Sequence, residues 1–446
     1  MTGGGRVQIT DRDGRNSAAT ARVVNGRLLT TPGASDGGPS DVNIGEVGGV
    51  PIGPNVPVAF GDSPSIDAFD RLRVSNPQGL FESTQTYDSQ PLLWNTGLTG
   101  GGATTYLPNI AATRFTVSAS GDIVARQTRD YFRYQPGKSQ LIFCTFNLDA
   151  GDPNVRKRVG YFEARNGIFL EEIDGALWFV RRTFTSGAVV DNRVAQADWN
   201  LDTYSDLDPA KTQILIIDFE WLGVGRARVG FVIDGIVRYA HEFLNANNLT
   251  TVYMTTAQLP VRYEIEATGA PAGATTMDQI CASVISEGGQ EEAIGFPFSY
   301  ARPSALSVSG TRVPVLSVRP KTTFNSLANH VQVIQRELEV LNTGNGVALV
   351  EVIYNATLTG ASWVSVNASS VVERDIAATS LTGGIVVYSF YVAATNQAKA
   401  SSSANIAGRL PLTLDINGAN PTPLTIAMTN VGTVTAYAGF NWQEYR

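Results

Sequence analysis

Between Arg158 and Tyr239 apolar and polar residues alternate in short runs. Leu177, Phe179 and the methylenes of Arg181 share one parity. Val229, Phe231 and Ile233 share another, with Gly230, Val232 and Asp234 on the opposite side. A period of two over short runs predicts half-buried β-strands. The runs break at Asn166-Gly167, Asp174-Gly175, Gly223-Val224-Gly225 and Asp234-Gly235. Such dipeptides supply the positive φ that tight hairpin turns need. The same reading predicts a hairpin turning near Ser120-Gly121-Asp122, a turn at Pro136-Gly137-Lys138, a strand over Gln140–Phe146, and closing strands in RYEIEATG and TMDQICASVISEGG. Residues 86–295 therefore read as one antiparallel sandwich. Residues 321–446 hold eight further short apolar runs with turns at Thr343-Gly344-Asn345-Gly346, Thr382-Gly383-Gly384 and Asn417-Gly418, a second sandwich.

Two stretches depart from this pattern. Residues 1–85 are interrupted every few positions by Gly, Pro, Asp, Asn and Ser, leaving pieces such as Val7-Gln8-Ile9 and Arg27-Leu28-Leu29 that form no core alone. An extended arm is expected there. Residues 296–320 are rich in proline and read as a linker or joining strand, confined to edge or extended geometry. In the middle region, an aromatic-rich strand, a glycine turn, long hairpins and a late closing strand look like the concanavalin-like jelly roll of lectins and certain glycanases. The expected class is all-β: an arm, a jelly roll and a C-terminal sandwich. Runs such as Ile385-Val386-Val387-Tyr388, apolar on both faces, predict cover from the second sheet or from another subunit, and a trimer is the expected oligomer. No internal repeat of fixed period marks a long fibre shaft.

Composition sharpens the functional side. At 446 residues, 43% hydrophobic and 16% charged, the chain exceeds one ordinary core and carries fewer charges than most soluble domains. A net charge of -7 argues against nucleic acid as a main partner. The basic clusters Arg156-Lys157-Arg158 and Arg181-Arg182 read as solvated strand ends. Cys144 and Cys281 sit among apolar or small neighbours, as buried free thiols do. The opening MTGGGRVQITDRDG lacks the apolar centre of a secretory signal, and no run reaches the length of a membrane span, so assembly in a reducing cytoplasm is expected.

The templates for catalysis fail in turn. A glycosidase needs two carboxyls facing one bond. Glu172-Ile173-Asp174 begins the E-x-D-x-E strand motif of family 16-type glycanases, but Ala176 or Leu177 stands where the second glutamate belongs. Asp218 and Glu220 flank Phe219 and read as a solvated face over a buried aromatic. The loops 149–154 and 201–208 loosely resemble calcium loops and read as turns with Asx caps. His241 and His330 have no ligand spacing around them, so neither a metal nor any other cofactor is expected. No GxSxG elbow or phosphate loop is present. Trp178, Trp199 and Trp221 are the candidates for stacking on sugar rings, set against the commoner role of core tryptophan.

One segment carries a resemblance. Asp67-Ala68-Phe69-Asp70-Arg71-Leu72-Arg73-Val74-Ser75, followed by Leu80-Phe81-Glu82-Ser83-Thr84-Gln85, resembles the D-A-F-G-R-L-R-V-S…L-F-[DE]-S-[KT]-Q segment of tailed-bacteriophage virion structural proteins, with Asp70 in place of the usual glycine. ASVISEGG at 282–289, RPKTTFNS at 319–326 and the closing Asn441-Trp442-Gln443-Glu444-Tyr445-Arg446 extend the likeness over most of residues 65–446. The resemblance implies a non-enzymatic structural protein of the virion, held by its arm to other virion proteins, and an anchoring arm followed by a lectin-like domain favours a tail- or neck-associated fibre or spike. Phe69, Leu72 and Val74 would be apolar anchors and Arg71 and Arg73 outward partners, against the plainer reading of an edge strand. A capsid-surface decoration, and a glycan-binding or glycan-degrading protein using the jelly-roll cleft, are the alternatives. A host-surface glycan is thus a candidate partner.

Overall fold

A computed structural model describes residues 6–10, 16–24, 27–29, 46–47, 50–51, 68, 76–289, 295–309, 312–393, 398–402, 410 and 412–446. Among them there is no α-helix; strands and two short 3-10 turns make up the regular structure. The chain divides into two compact units, residues 1–63 and 64–446. The first holds β1 (Arg6–Thr10), β2 (Asn16–Val24) and β3 (Arg27–Leu29) in one antiparallel sheet, and a two-stranded pair of β4 (Glu46–Val47) and β5 (Val50–Pro51). The anchor positions Phe69, Arg71, Leu72, Arg73 and Val74 lie outside the described residues.

The second unit begins with a jelly-roll sandwich. Its strands are β6 (Gln78–Thr84), β7 (Trp94–Thr99), β8 (Ala103–Leu107), β9 (Ala112–Val117), β10 (Ile123–Thr128), β11 (Gln140–Asn147), β12 (Val155–Phe162), β13 (Gly167–Ile173), β14 (Ala176–Thr183), β15 (Val190–Ala195), β16 (Gln213–Phe219), β17 (Ala227–Ile233), β18 (Ile236–Phe243), β19 (Val261–Ala267) and β20 (Thr275–Ser286). One sheet runs β15-β14-β13-β12-β19-β10-β7 and the other β18-β17-β16-β11-β20-β9-β8, with β6 also paired to β20. Between them lies one core containing Phe115, Phe146, Tyr161, Phe179, Phe219, Phe231 and Tyr263. The turns at Asp174-Gly175 and Asp234-Gly235 hold both residues at positive φ, the geometry of a tight hairpin that matches strand twist. Gly225 closes the β16–β17 turn by donating its N–H to the Trp221 carbonyl at 2.7 Å; a Cβ there would sit 1.8 Å from the Glu220 carbonyl oxygen.

The segment around Ser120-Gly121-Asp122 differs from the expected hairpin. It arches from β9 in one sheet to β10 in the other. Local sequence shows a turn but not which sheet receives the next strand. The arch is held by Asp122, whose carboxylate accepts from the backbone N–H groups of Ser118, Ala119 and Gly101. The Leu80–Gln85 segment forms most of β6, and its Phe81 packs on Trp94 and Phe132 at ring separations of 5.7 and 5.3 Å. These residues, expected in the arm, belong to the jelly roll.

The C-terminal sandwich contains β21 (Phe296–Ala301), β22 (Leu306–Val308), β23 (Val313–Pro320), β24 (Thr323–Phe324), β25 (Leu327–Ala328), β26 (Gln332–Asn342), β27 (Val347–Tyr354), β28 (Thr357–Thr359), β29 (Val364–Ser365), β30 (Val372–Asp375), β31 (Ser380–Thr382), β32 (Ile385–Val392), β33 (Ala398–Ser402), β34 (Leu424–Val431) and β35 (Val434–Tyr445). One sheet runs β21-β35-β26-β33 with β22 beside β35; the other runs β29-β30-β23-β34-β27-β32. Their shared core includes Val333, Val350, Ile426, Phe440 and Trp442. Residues 296–320, expected as a linker or joining strand, supply β21 to β23. The prolines fall where a missing N–H is tolerated: Pro297 on an edge strand, Pro314 at a bulge, Pro320 at a strand end. Cys144 and Cys281 are free thiols, the first buried and the second half-buried.

The two sandwiches meet within this unit. His330 lies 4.1 Å from the Tyr131 ring, Gln332 donates to Asp130, and Ile416 covers Gly97 of the edge strand β7. Burial, aided by Arg165, pushes His330 down to about 4, and burial pushes the Asp130 carboxyl up to about 6 despite the Gln332 hydrogen bond.

Candidate functional site

A glycan-cleaving site in the jelly roll would be built from its carboxylates. On β13 the alternation places Glu171 on the outer face of its sheet, beside Phe169, while Glu172 follows Ile168 and Leu170 toward the core. Glu172 is buried, lies 3.7 Å from the Lys157 ammonium and accepts the Gly175 N–H. Burial raises its pKa, with Lys157 pulling the other way. Lys157 also donates to the carbonyls of Leu148 and Ala150. Its ammonium thus ties the loop after β11 to the β13–β14 hairpin. Asp174 sits in that hairpin and accepts the Asn154 N–H at 2.7 Å. Glu172 and Asp174 therefore do not face a common space.

The outer face of the same sheet carries an ionic lattice. Glu171, with no exposed side-chain surface, accepts from Arg158 at 2.8 Å and Arg193 at 2.5 Å. Glu264 lies between Arg158 and Arg262, each at 2.5 Å. Arg156 pairs with Glu266, and Arg182 grips Asp191 through two hydrogen bonds of 2.7 and 3.0 Å. Phe162, Phe169 and Val180 lie beneath, with the Arg182 guanidinium 5.1 Å from the Phe169 ring. Burial works to raise the Glu264 carboxyl, but Arg262 and Arg158 together outweigh it and hold the group down at about 2. The Arg156-Lys157-Arg158 cluster, expected at solvated strand ends, is thus largely buried. Strand alternation sends Arg156 and Arg158 outward onto acids of β13 and β19 and sends Lys157 inward.

The second sheet repeats the arrangement. Asp218 is fully buried and accepts from Arg228 at 2.5 Å, Tyr239 at 3.0 Å and Ser139 at 2.6 Å. Glu220 is buried beside it. The expected solvated face is a closed polar knot, because Arg228 stands opposite Asp218 on the adjacent strand β17. In the loops, Asp149 caps Ala150 and accepts the Thr276 hydroxyl, and Asp202 and Asp208 accept backbone N–H groups two residues on. The turns at Asp202 and Asp208 are Asx turns.

The tryptophans do not share a surface. Trp199 is 4% exposed, packs at a tilt 4.3 Å from Phe179 and donates its indole N–H to the Val194 carbonyl, leaving no face for a sugar. Trp221 donates to the Met254 carbonyl and meets Tyr134 edge-on. Trp178 is half-buried on the outer face, opposite Glu171 and against the Phe162–Phe169 cluster. His241 accepts the Asn200 N–H, and burial beside Arg181 lowers it to about 4.

A groove of about 460 Å³ lies elsewhere, on the C-terminal sandwich. Its lining includes Phe298, Ser299, Arg336, Asn367, Asn441 and Gln443. A bulge between Gln335 and Glu337 sets Arg336 outside the regular ladder, where it donates to the Gln443 side chain at 2.8 Å and to the Tyr445 hydroxyl at 2.7 Å. Side-chain amides and a guanidinium on an open sheet face can satisfy the hydroxyls of a polar ligand. Sequence reading missed this groove, because its residues come from separate strands joined only by pairing.

No protein-family model matches the chain, and no curated protein matches its sequence. Among solved structures it is similar to a protein of unknown function from Shewanella oneidensis MR-1, at 10% identity over 52% of this chain and 94% of that one, with a TM-score of 0.34. It is also similar to the GH16 protein of a Bacteroides ovatus mixed-linkage glucan locus in complex with its G4G4G3G product (8% identity, 46% and 99% covered, TM-score 0.33). A third is the CBM2 module of the evolved Dit of Lactobacillus casei BL23 phage J-1 (7%, 47% and 96%, 0.32). What the fold itself defines is an all-β protein with a jelly-roll sandwich followed by a second sandwich.

Proposed function

We propose that this chain is a non-enzymatic structural component of a tailed-phage virion, a homo-oligomeric tail- or neck-associated protein held by its N-terminal segment to other virion proteins. The observation that carries the non-enzymatic part is the commitment of the jelly-roll carboxylates. Glu171, Glu172, Asp218 and Glu264 are each buried against a cation that also builds the sandwich. A carboxylate held at about 2 between two arginines is neither a general acid nor a base at neutral pH. The virion part rests on the Asp67–Gln85 resemblance. Fab labelling of intact particles with an antibody to the C-terminal sandwich tests it. Label at the tail or neck is expected; label spread over the head favours a capsid decoration, and particles without the protein refute the proposal.

A second reading, glycan contact, is favoured by the groove beside Arg336 rather than by the jelly roll. A glycan array with wild type and Asn441→Ala tests it: binding lost in the variant supports the groove, and binding lost instead in Trp178→Ala returns the contact to the jelly-roll face.

A further inference from the structure

Arg126 stands in β10 on the side of its sheet that faces the second sheet, in step with the core residue Val124. It is 1% exposed. Its guanidinium crosses the jelly roll to the opposite sheet. Nη1 donates to the Thr113 hydroxyl at 3.1 Å and to the Gln279 side-chain oxygen at 2.7 Å, and Nη2 donates to the Ser89 carbonyl. Thr113 and Gln279 are directly opposed partners of β9 and β20. The Thr113 hydroxyl donates in turn to the Gln85 side-chain oxygen. The Trp94 ring lies 5.5 Å from the guanidinium carbon.

This charge is out of water and lacks a counter-charge. Among the described residues no carboxylate pairs with Arg126; Asp88 acts on it from a distance, is exposed, and accepts the Gln90 N–H. The other buried arginines among these residues, Arg158, Arg182 and Arg228, each hold an acid. Burial pushes Arg126 down to about 10, so it stays charged at neutral pH. The hydrogen bonds are lopsided as well. The side-chain oxygens of Gln85 and Gln279 are both engaged, while their amide nitrogens are buried without a partner. The cluster is left with surplus N–H donors and one positive charge. A water molecule would accept from some of these donors, but it adds donors of its own and no negative charge. A buried charge without its opposite is costly.

We infer that Arg126, Gln85 and Gln279 bind a small monovalent anion, a halide such as chloride, between the two sheets of the jelly roll. A halide is spherical, accepts from several N–H donors without a fixed direction, and brings the single negative charge the cluster lacks. Enclosure sets the size: Gln85, Thr113 and Gln279 are buried like Arg126, which disfavours larger, multiply charged oxyanions such as sulfate or phosphate. The bound ion would brace the sandwich, joining β10 of one sheet to β20 of the other. The inference rests on neither the virion role nor the groove beside Arg336.

The test melts the full-length chain at constant ionic strength while sodium gluconate is exchanged for sodium chloride. The wild-type unfolding temperature is expected to rise with chloride, by about 3–5 °C for each tenfold increase once the site fills. Sodium bromide is expected to act alike. Gln279→Glu places a carboxylate where the Gln279 oxygen already meets Arg126 at 2.7 Å. That variant is expected to be at least as stable as wild type in gluconate and to lose most of the chloride response. A wild-type melt indifferent to the exchange would overturn the inference and leave water as the occupant. So would a Gln279→Glu chain that keeps the full response, which would put the anion elsewhere. A Gln279→Glu chain that melts well below wild type in gluconate would also overturn it, since the charge would then be balanced already.

Discussion

Glu264 offers the sharpest test of whether the outer face of the jelly roll is architecture. Replacing it with glutamine keeps the shape and removes the charge between Arg158 and Arg262. A carboxyl moved from 4.5 to about 2 on folding contributes about 3 kcal/mol of stability at neutral pH. That agrees with the roughly 3–5 kcal/mol typical for removing one partner of a buried pair. For a sandwich of this size the loss lowers the unfolding temperature by about 6–12 °C. The pH dependence supplies the sign. The folded pKa is depressed, so the contribution is complete above the unfolded value of 4.5 and is lost as pH falls from there toward about 2. Urea unfolding followed by tryptophan fluorescence at pH 7 and pH 2.5 measures the gap between wild type and Glu264→Gln. A gap of about 3 kcal/mol at pH 7 that mostly closes at pH 2.5 is expected. An equal gap at both pH values, or a gap below about 0.5 kcal/mol at pH 7, refutes the reasoning.

Other outcomes follow from the same structure. Glu172→Gln and Lys157→Met each break the tie between the loop after β11 and the β13–β14 hairpin; both are expected to lose about 2–4 kcal/mol in urea unfolding, and polysaccharide depolymerisation abolished by Glu172→Gln in a chain that remains folded would contradict the structural role. Trp199→Ala is expected to cost about 3–5 kcal/mol as a core cavity, without a selective effect on glycan binding in the folded fraction of an array experiment. Both histidines are held near 4, so the unfolded chain takes up protons that the folded one does not, and stability falls as pH drops from 6.5 toward 4. Asp130, raised to about 6, acts in the opposite direction, because the folded state keeps its proton over 6 to 3.8. Asp130→Asn is therefore expected to be more stable than wild type at pH 7.5 and to decline more steeply below pH 6, read as unfolding temperature across a pH series.

Much of the strand layout was legible in the chain. Period-two alternation and the Asp-Gly turns are local properties, set by which face of a strand meets water and by the φ each turn residue accepts. They placed the β13–β14 and β17–β18 hairpins and most strands of both sandwiches. What alternation cannot show is the identity of the next neighbour. The Gly121 turn, read as a hairpin, crosses between sheets, and the proline-rich stretch, read as a linker or joining strand, threads β23 into the middle of one. Pairing between distant strands settles both, since hydrogen bonds across a sheet are blind to separation along the chain.

The same division runs through the charges. From the sequence alone, Arg156, Lys157 and Arg158 were a basic cluster and Asp218 and Glu220 a polar face; each fits solvent when its partners are unknown. Registration of β12 against both β13 and β19 brought Glu171 and Glu264 to Arg158, and registration of β16 against β17 brought Arg228 to Asp218. Composition and periodicity determined that this is an all-β chain of layered sheets. Tertiary structure decided that Glu171, Glu264 and Asp218 are buried against arginines, because a charge removed from water must find its counter-charge within a few ångströms, and only folding brings residues so distant in sequence that close.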